Sequence, residues 1–107
     1  MMTFRIKQND TSPQIEAVLS DAAGTAIDLS GAAVRFHMRR AGGAVVIDAA
    51  ATIVTAAAGL VRYVWLAGDT ATAGSYQAEF EATYADGAIE TFPNAANIQI
   101  DILADIT

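Results

Sequence analysis

The side chains that could carry chemistry are few and scattered. None of the 107 residues is cysteine, which excludes disulfide staples, thiolate zinc sites and thiol nucleophiles. His37 is the single histidine, so neither a histidine-cluster metal site nor a multi-histidine mechanism is open to one chain. Asp28, Asp48, Asp69 and Asp86 occur singly at turn-like positions, where an aspartate bonds its own backbone, and their spacing fits no calcium loop. There is no glycine-rich phosphate cradle, nucleophile elbow or spaced carboxylate pair. The chain therefore reads as a non-enzyme with no cofactor and no metal. What is patterned is charge. Arg35, His37 and Arg39 alternate along one segment, and Gln77, Glu79 and Glu81 along another. As a cross-strand ladder such pairs contribute roughly 0.2–1 kcal/mol each; as a functional feature they form a polar docking surface. His37 reads as a surface histidine within this row.

The elements that must position these rows are strands. Apolar residues recur mainly at spacing two, in short segments separated by turn signals. Nine strands are predicted: Thr3–Lys7, Gln14–Ser20, Ala33–Arg40, Ala44–Asp48, Thr52–Thr55, Leu60–Trp65, Ser75–Tyr84, Ala88–Phe92 and Asn97–Leu103. Val34, Phe36 and Met38 face inward, as do Val61, Tyr63 and Trp65, then Tyr76, Ala78, Phe80, Ala82 and Tyr84, and finally Ile98, Ile100 and Ile102. Gly42-Gly43 and Asp86-Gly87 mark tight turns. Ala56–Gly59 is a turn in which Gly59 suits a positive φ, and Pro93-Asn94 interrupts pairing. The alanine runs Ala49–Ala51 and Ala56–Ala58 are too short for stable helices, leaving at most one helical turn near Gly68–Ala73.

Composition agrees with one small core. Of 57 hydrophobic residues 24 are alanine, leaving 33 larger ones, enough for a single domain over residues 1–107. Charged residues make up only 17 %, so the chain is not a disordered tail. No run approaches the roughly 18–20 apolar residues that cross a bilayer, and MMTFRIKQND turns polar too soon for a signal peptide. Net charge is −6, and Arg62 is the only basic residue after position 53. This argues against nucleic acid as a ligand, because phosphate affinity comes from clustered Lys and Arg. No membrane partner is indicated.

Many short strands with frequent turns indicate an all-β antiparallel sandwich. The stretch Asp69-Thr70-Ala71-Thr72-Ala73-Gly74-Ser75-Tyr76 resembles the tyrosine corner of immunoglobulin-like sandwiches, in which a phenol bonds back to upstream backbone. Asp69 and Tyr76 are thus structural candidates. In that topology the third strand and the strand after the corner are neighbours, so Arg35 and Arg39 would share an outer face with Glu79 and Glu81. Open sheet edges can pair with another chain, and Val45-Val46-Ile47 and Ile53-Val54 offer β-branched strands for it. Val45 and Ile47 complete the candidate interface.

The order of segments resembles the N-terminal domain of phage baseplate upper proteins. The match runs from Phe4-Arg5-Ile6-Lys7-Gln8-Asn9-Asp10-Thr11-Ser12-Pro13 through Ile27-Asp28-Leu29-Ser30-Gly31-Ala32 and Val34-Arg35-Phe36-His37-Met38-Arg39. It continues with Gly59-Leu60-Val61-Arg62-Tyr63, Ala73-Gly74-Ser75-Tyr76-Gln77-Ala78-Glu79-Phe80 and Gly87-Ala88-Ile89-Glu90-Thr91-Phe92-Pro93. The resemblance implies an immunoglobulin-like sandwich in a tailed-phage virion, made in the host cytoplasm, that connects fibres or receptor-binding proteins to the tail or baseplate. Its partners would be other virion proteins in a symmetric, multi-copy assembly. In that family a longer linker and a further region usually follow the domain. Ending at Thr107 is a departure that favours a stand-alone component. Alternatives are a capsid decoration protein and, from another class, a carbohydrate-binding module using Tyr63, Trp65 or the Leu66–Gly74 loop.

Overall fold

The computed structural model describes residues 3–93 and 97–106. Its strands are β1 (Thr3–Lys7), β2 (Ile15–Val18), β3 (Ala33–Arg40), β4 (Val45–Ala50), β5 (Thr52–Thr55), β6 (Leu60–Tyr63), β7 (Gly74–Thr83), β8 (Ile89–Phe92) and β9 (Ile98–Leu103). Each strand lies over the segment the alternation predicts, with ends shifted by up to two residues, because one face of every strand must leave water. One sheet has the order β1-β9-β7-β3-β4, with β8 also paired to β7; the other has the order β2-β6-β5. The two layers correspond to those of an immunoglobulin-like sandwich.

One pairing corrects the expected all-antiparallel arrangement: β1 runs parallel to β9, from Thr3 opposite Gln99 to Lys7 opposite Leu103. After β1 the chain crosses to the other sheet before starting β2, so β1 has no hairpin partner and completes the first sheet alongside the last strand. β4 and β5 form a second crossing. They follow one another along the sandwich's flank and change sheets at Ala51, whose N–H donates to the Val34 carbonyl at 2.9 Å. β8 and β9 lie end to end against the same edge of β7, Phe92 opposite Phe80 and Ile98 opposite Ala78. Pairing stops at Pro93 between them; Asn94, the other half of the predicted interruption, lies outside the described residues.

The core between the sheets is aromatic at its centre. Phe36 stacks on Tyr63 with ring centroids 4.5 Å apart, meets Trp65 edge-on at 5.8 Å and touches Phe80 at 5.1 Å. Tyr63 and Trp65 are each 2 % exposed. Their polar ends are satisfied internally, Tyr63 Oη donating to Asp69 Oδ2 at 2.6 Å and Trp65 Nε1 to the Pro13 carbonyl at 3.1 Å. Neither ring is therefore open for the stacking that the carbohydrate-binding alternative would draw from it, because both serve as core.

The Ala56–Ala58 run closes as a single 3-10 turn and not the plain turn expected. It ends at Gly59, whose φ of 64° is left-handed. A Cβ there would lie 2.7 Å from the Leu19 carbonyl oxygen and 2.9 Å from that of Ile27. The close approach lets the Leu19 N–H donate to Gly59 O and the Ile27 N–H to Leu19 O, each at 2.8 Å. Three segments are locked at a point only glycine can occupy. Replacing it, Gly59→Ala, should lower stability by about 1–3 kcal/mol or more in urea unfolding. A wild-type midpoint would contradict this geometry.

Candidate docking surface

The outer face of the larger sheet collects the charged rows. β3 and β7 pair antiparallel with Arg35 opposite Glu81, His37 opposite Glu79 and Arg39 opposite Gln77. The two rows are therefore in register on one face. The bonds within them differ from a simple ladder. Arg35 turns away from Glu81 toward β4, its Nε donating to Asp48 Oδ1 and its Nη2 to the Asp48 carbonyl, both at 2.9 Å. His37 stands between carboxylates, with Nε2 3.2 Å from Asp48 Oδ1 and Nδ1 3.7 Å from Glu79 Oε1. Arg39 grips a neutral acceptor, Gln77 Oε1, through Nε at 3.1 Å and Nη2 at 2.9 Å.

Asp48 is the residue that sequence reasoning missed. Expected at a turn that ends its strand, it sits inside β4 opposite His37, because β4 continues to Ala50. The alternation with inward Ile47 was the available signal. Its carboxyl is held below the ordinary value of 3.8, chiefly by the Arg35 hydrogen bond, which outweighs the opposing cost of desolvation; the charges of Arg35 and His37 lower it further. Together His37, Arg39, Val45, Asp48, Gln77 and Glu79 line a shallow groove of about 340 Å³.

β4 borders this groove and forms an edge of its sheet. Val45 and Val46 are 63 % and 50 % exposed. Ile47, named beside them as an interface residue, is only 6 % exposed; it faces the core opposite Met38, so only its backbone can meet another chain. Beyond the outer face, Tyr76 Oη donates to the Thr72 carbonyl at 2.7 Å and accepts from Arg40 Nη1 at 3.0 Å. Asp69 does not join Tyr76. It accepts from Tyr63 and from the Leu66 N–H at 2.8 Å, and that carboxylate, after burial, is the second cause raising the Tyr63 phenol above its ordinary value.

No nucleophile is paired with a base in this face, and no group of three or more His, Asp or Glu among the described residues could hold a metal ion. Such a surface can recognise another protein by charge and shape, with the valine edge supplying apolar area.

Comparison with known proteins adds two findings. The family model described as the BppU N-terminal domain matches residues 2–105. The crystal structure of CopC from Methylosinus trichosporium OB3b is similar with a TM-score of 0.58 at 10 % identity, covering 100 % of this chain and 89 % of that one; at that identity the likeness concerns the fold alone. No curated protein matches the chain.

Two outcomes test the geometry. Because the Asp48 proton is bound more tightly in the unfolded chain, its contribution to stability is present above about pH 4 and lost as pH falls below that value. Asp48→Asn should therefore flatten the acid side of the melting-temperature profile between pH 5 and 3, whereas an unchanged profile would remove the Arg35–Asp48 contact from the account. Tyr76→Phe should cost about 1 kcal/mol in chemical unfolding, as expected for one buried hydrogen bond.

Proposed function

The chain belongs to the family of phage baseplate upper protein N-terminal domains, and from that membership we propose that it is a single docking domain that connects fibres or receptor-binding proteins to the baseplate. The family is a structural component of the phage tail, which supports a role in the virion. The observation that carries the proposal is the family match over residues 2–105. Its action is binding without catalysis, through other virion proteins repeated in several symmetric copies. Weak individual contacts then add up through repetition.

The surface that best suits this role is the groove around His37 together with the β4 edge. Charged groups there are held by neighbours on the same sheet, so they present a fixed pattern to a partner and lose little entropy on docking. The exposed Val45 and Val46 supply the apolar contact beside it.

Mass spectrometry of purified particles should find this chain with the tail proteins; its absence from particles would overturn the proposal. In the phage genome, Val45→Lys combined with Val46→Lys should leave folding stability within about 0.5 kcal/mol per site but reduce the chain's incorporation into particles severalfold. Normal incorporation would direct the docking role elsewhere on the molecule.

A further inference from the structure

Among the described residues five strands border a sheet, β1, β4 and β8 of one and β2 and β5 of the other, and they are unequally protected against pairing with another chain. An edge strand presents unpaired N–H and C=O groups, and proteins blunt such edges with basic residues, prolines, bulges or short irregular strands. β1 carries Arg5 and Lys7, and β8 runs directly into Pro93. β4 meets β3 through a register shift between Met38 and Arg39, and β5 meets β6 through another between Ile53 and Thr55. β2 has none of these devices. It pairs regularly with β6 from Ile15 opposite Tyr63 to Val18 opposite Leu60, contains no Lys or Pro, and its one charge, Glu16, is bound by Arg62 Nε at 2.7 Å.

The phase of that ladder identifies the free groups. Leu19 N–H donates to Gly59 O, so Ile15, Ala17 and Leu19 bond toward β6, whereas the N–H and C=O of Glu16 and Val18 point to the open side. No described strand lies there. Ser20 sits opposite Ala26 through bonds made by its neighbours, Ile27 N–H to Leu19 O and Asp21 N–H to Thr25 O, so its own backbone groups extend the open stretch by one residue pair position. Beside the open stretch runs an apolar slot of about 250 Å³, lined by Ala17, Leu19, Phe92, Pro93 and Ile98 among others. Val18, on the outward face, is 56 % exposed.

We propose that β2 pairs antiparallel with β2 of a second copy, across a two-fold axis at Ala17. That register sets Glu16 opposite Val18 of the second copy and Val18 opposite its Glu16. Both are residue pairs with outward backbone groups, so each pair exchanges both of its N–H···O bonds. The arrangement is self-complementary in side chains too. Like charges never stand opposite one another, each Glu16 keeps its Arg62, and the aliphatic stem of Glu16 covers the exposed Val18. Ala17, the smallest side chain of the strand, lies on the axis, where the two inner faces come closest. The slots then abut, each closing the other's open flank, and two three-stranded sheets become one of six strands. This contact deepens the multi-copy reading and rests on it for its role in a particle, but the isolated protein can test it.

Sedimentation of the purified chain from micromolar to millimolar concentration should show twice the single-chain mass at the upper end. Over the same range, hydrogen exchange of the Glu16 and Val18 amides should slow by about tenfold or more, while the Ala17 and Leu19 amides stay protected throughout. Val18→Pro removes an N–H that β6 does not use, so it should abolish the dimer and keep the fold. Val18→Lys repeats the test without proline. A single-chain mass at every concentration overturns the pairing, including when the edge binds only a foreign strand. A dimer that survives in either variant with wild-type melting overturns it as well. Either result leaves the particle location to be judged by mass spectrometry.

Discussion

The pairing of β3 with β7 runs over eight residue pairs, from Ala33 opposite Thr83 to Arg40 opposite Tyr76, and both the core and the charged outer face depend on its register. Val34, Phe36 and Met38 meet Ala82, Phe80 and Ala78 on the inner side, while Arg35, His37 and Arg39 meet Glu81, Glu79 and Gln77 on the outer side. Side chains alternate with a period of two, so a slip by one residue would bury the charges and expose the aromatic centre. Burial of Phe36 and Phe80, both 0 % exposed, holds the strands in place. The groove on the far side inherits its geometry from that core.

The alanines find their meaning in the same pairing. Ala78 and Ala82 are buried opposite Met38 and Val34, where a small residue across from a larger one lets the sheets fill the interior without strain. Ala51 permits the chain to change sheets between β4 and β5, and Ala56–Ala58 form the tight turn ahead of Gly59. Much of the high apolar fraction therefore sets how closely backbone can approach backbone. The larger residues supply the transfer free energy.

Strand positions and inward faces were legible in the sequence because alternation reports which side leaves water. Ile98, Ile100 and Ile102 on β9 and Val61, Tyr63 and Trp65 at β6 are buried as their spacing requires. Pairing partners were less legible. The parallel contact of β1 with β9 joins residues nearly a full chain length apart, and no local signal specifies it. On the candidate face, the rows of Arg35 and Glu79 could be read, but the bonds could not. Asp48 displaced Glu81 as the partner of Arg35 because β4 runs two residues past Asp48, its expected end, which keeps that side chain in the sheet beside Arg35. The open edge of β2 was invisible for a related reason: an edge is defined by what does not pair with it, and that is a property of the assembled sheets.

Fold and face together describe a module whose charged outer rows are held by neighbours on the sheet and whose remaining capacity lies in edges and grooves, as suits the docking role proposed for it. A cryo-EM map of the intact particle tests this most directly. The expected map holds the sandwich at the tail baseplate in repeated copies, with the groove around His37 and the β4 edge covered by a neighbouring virion protein. A map that leaves that face in solvent in every copy, or holds no such sandwich at the baseplate, would contradict it.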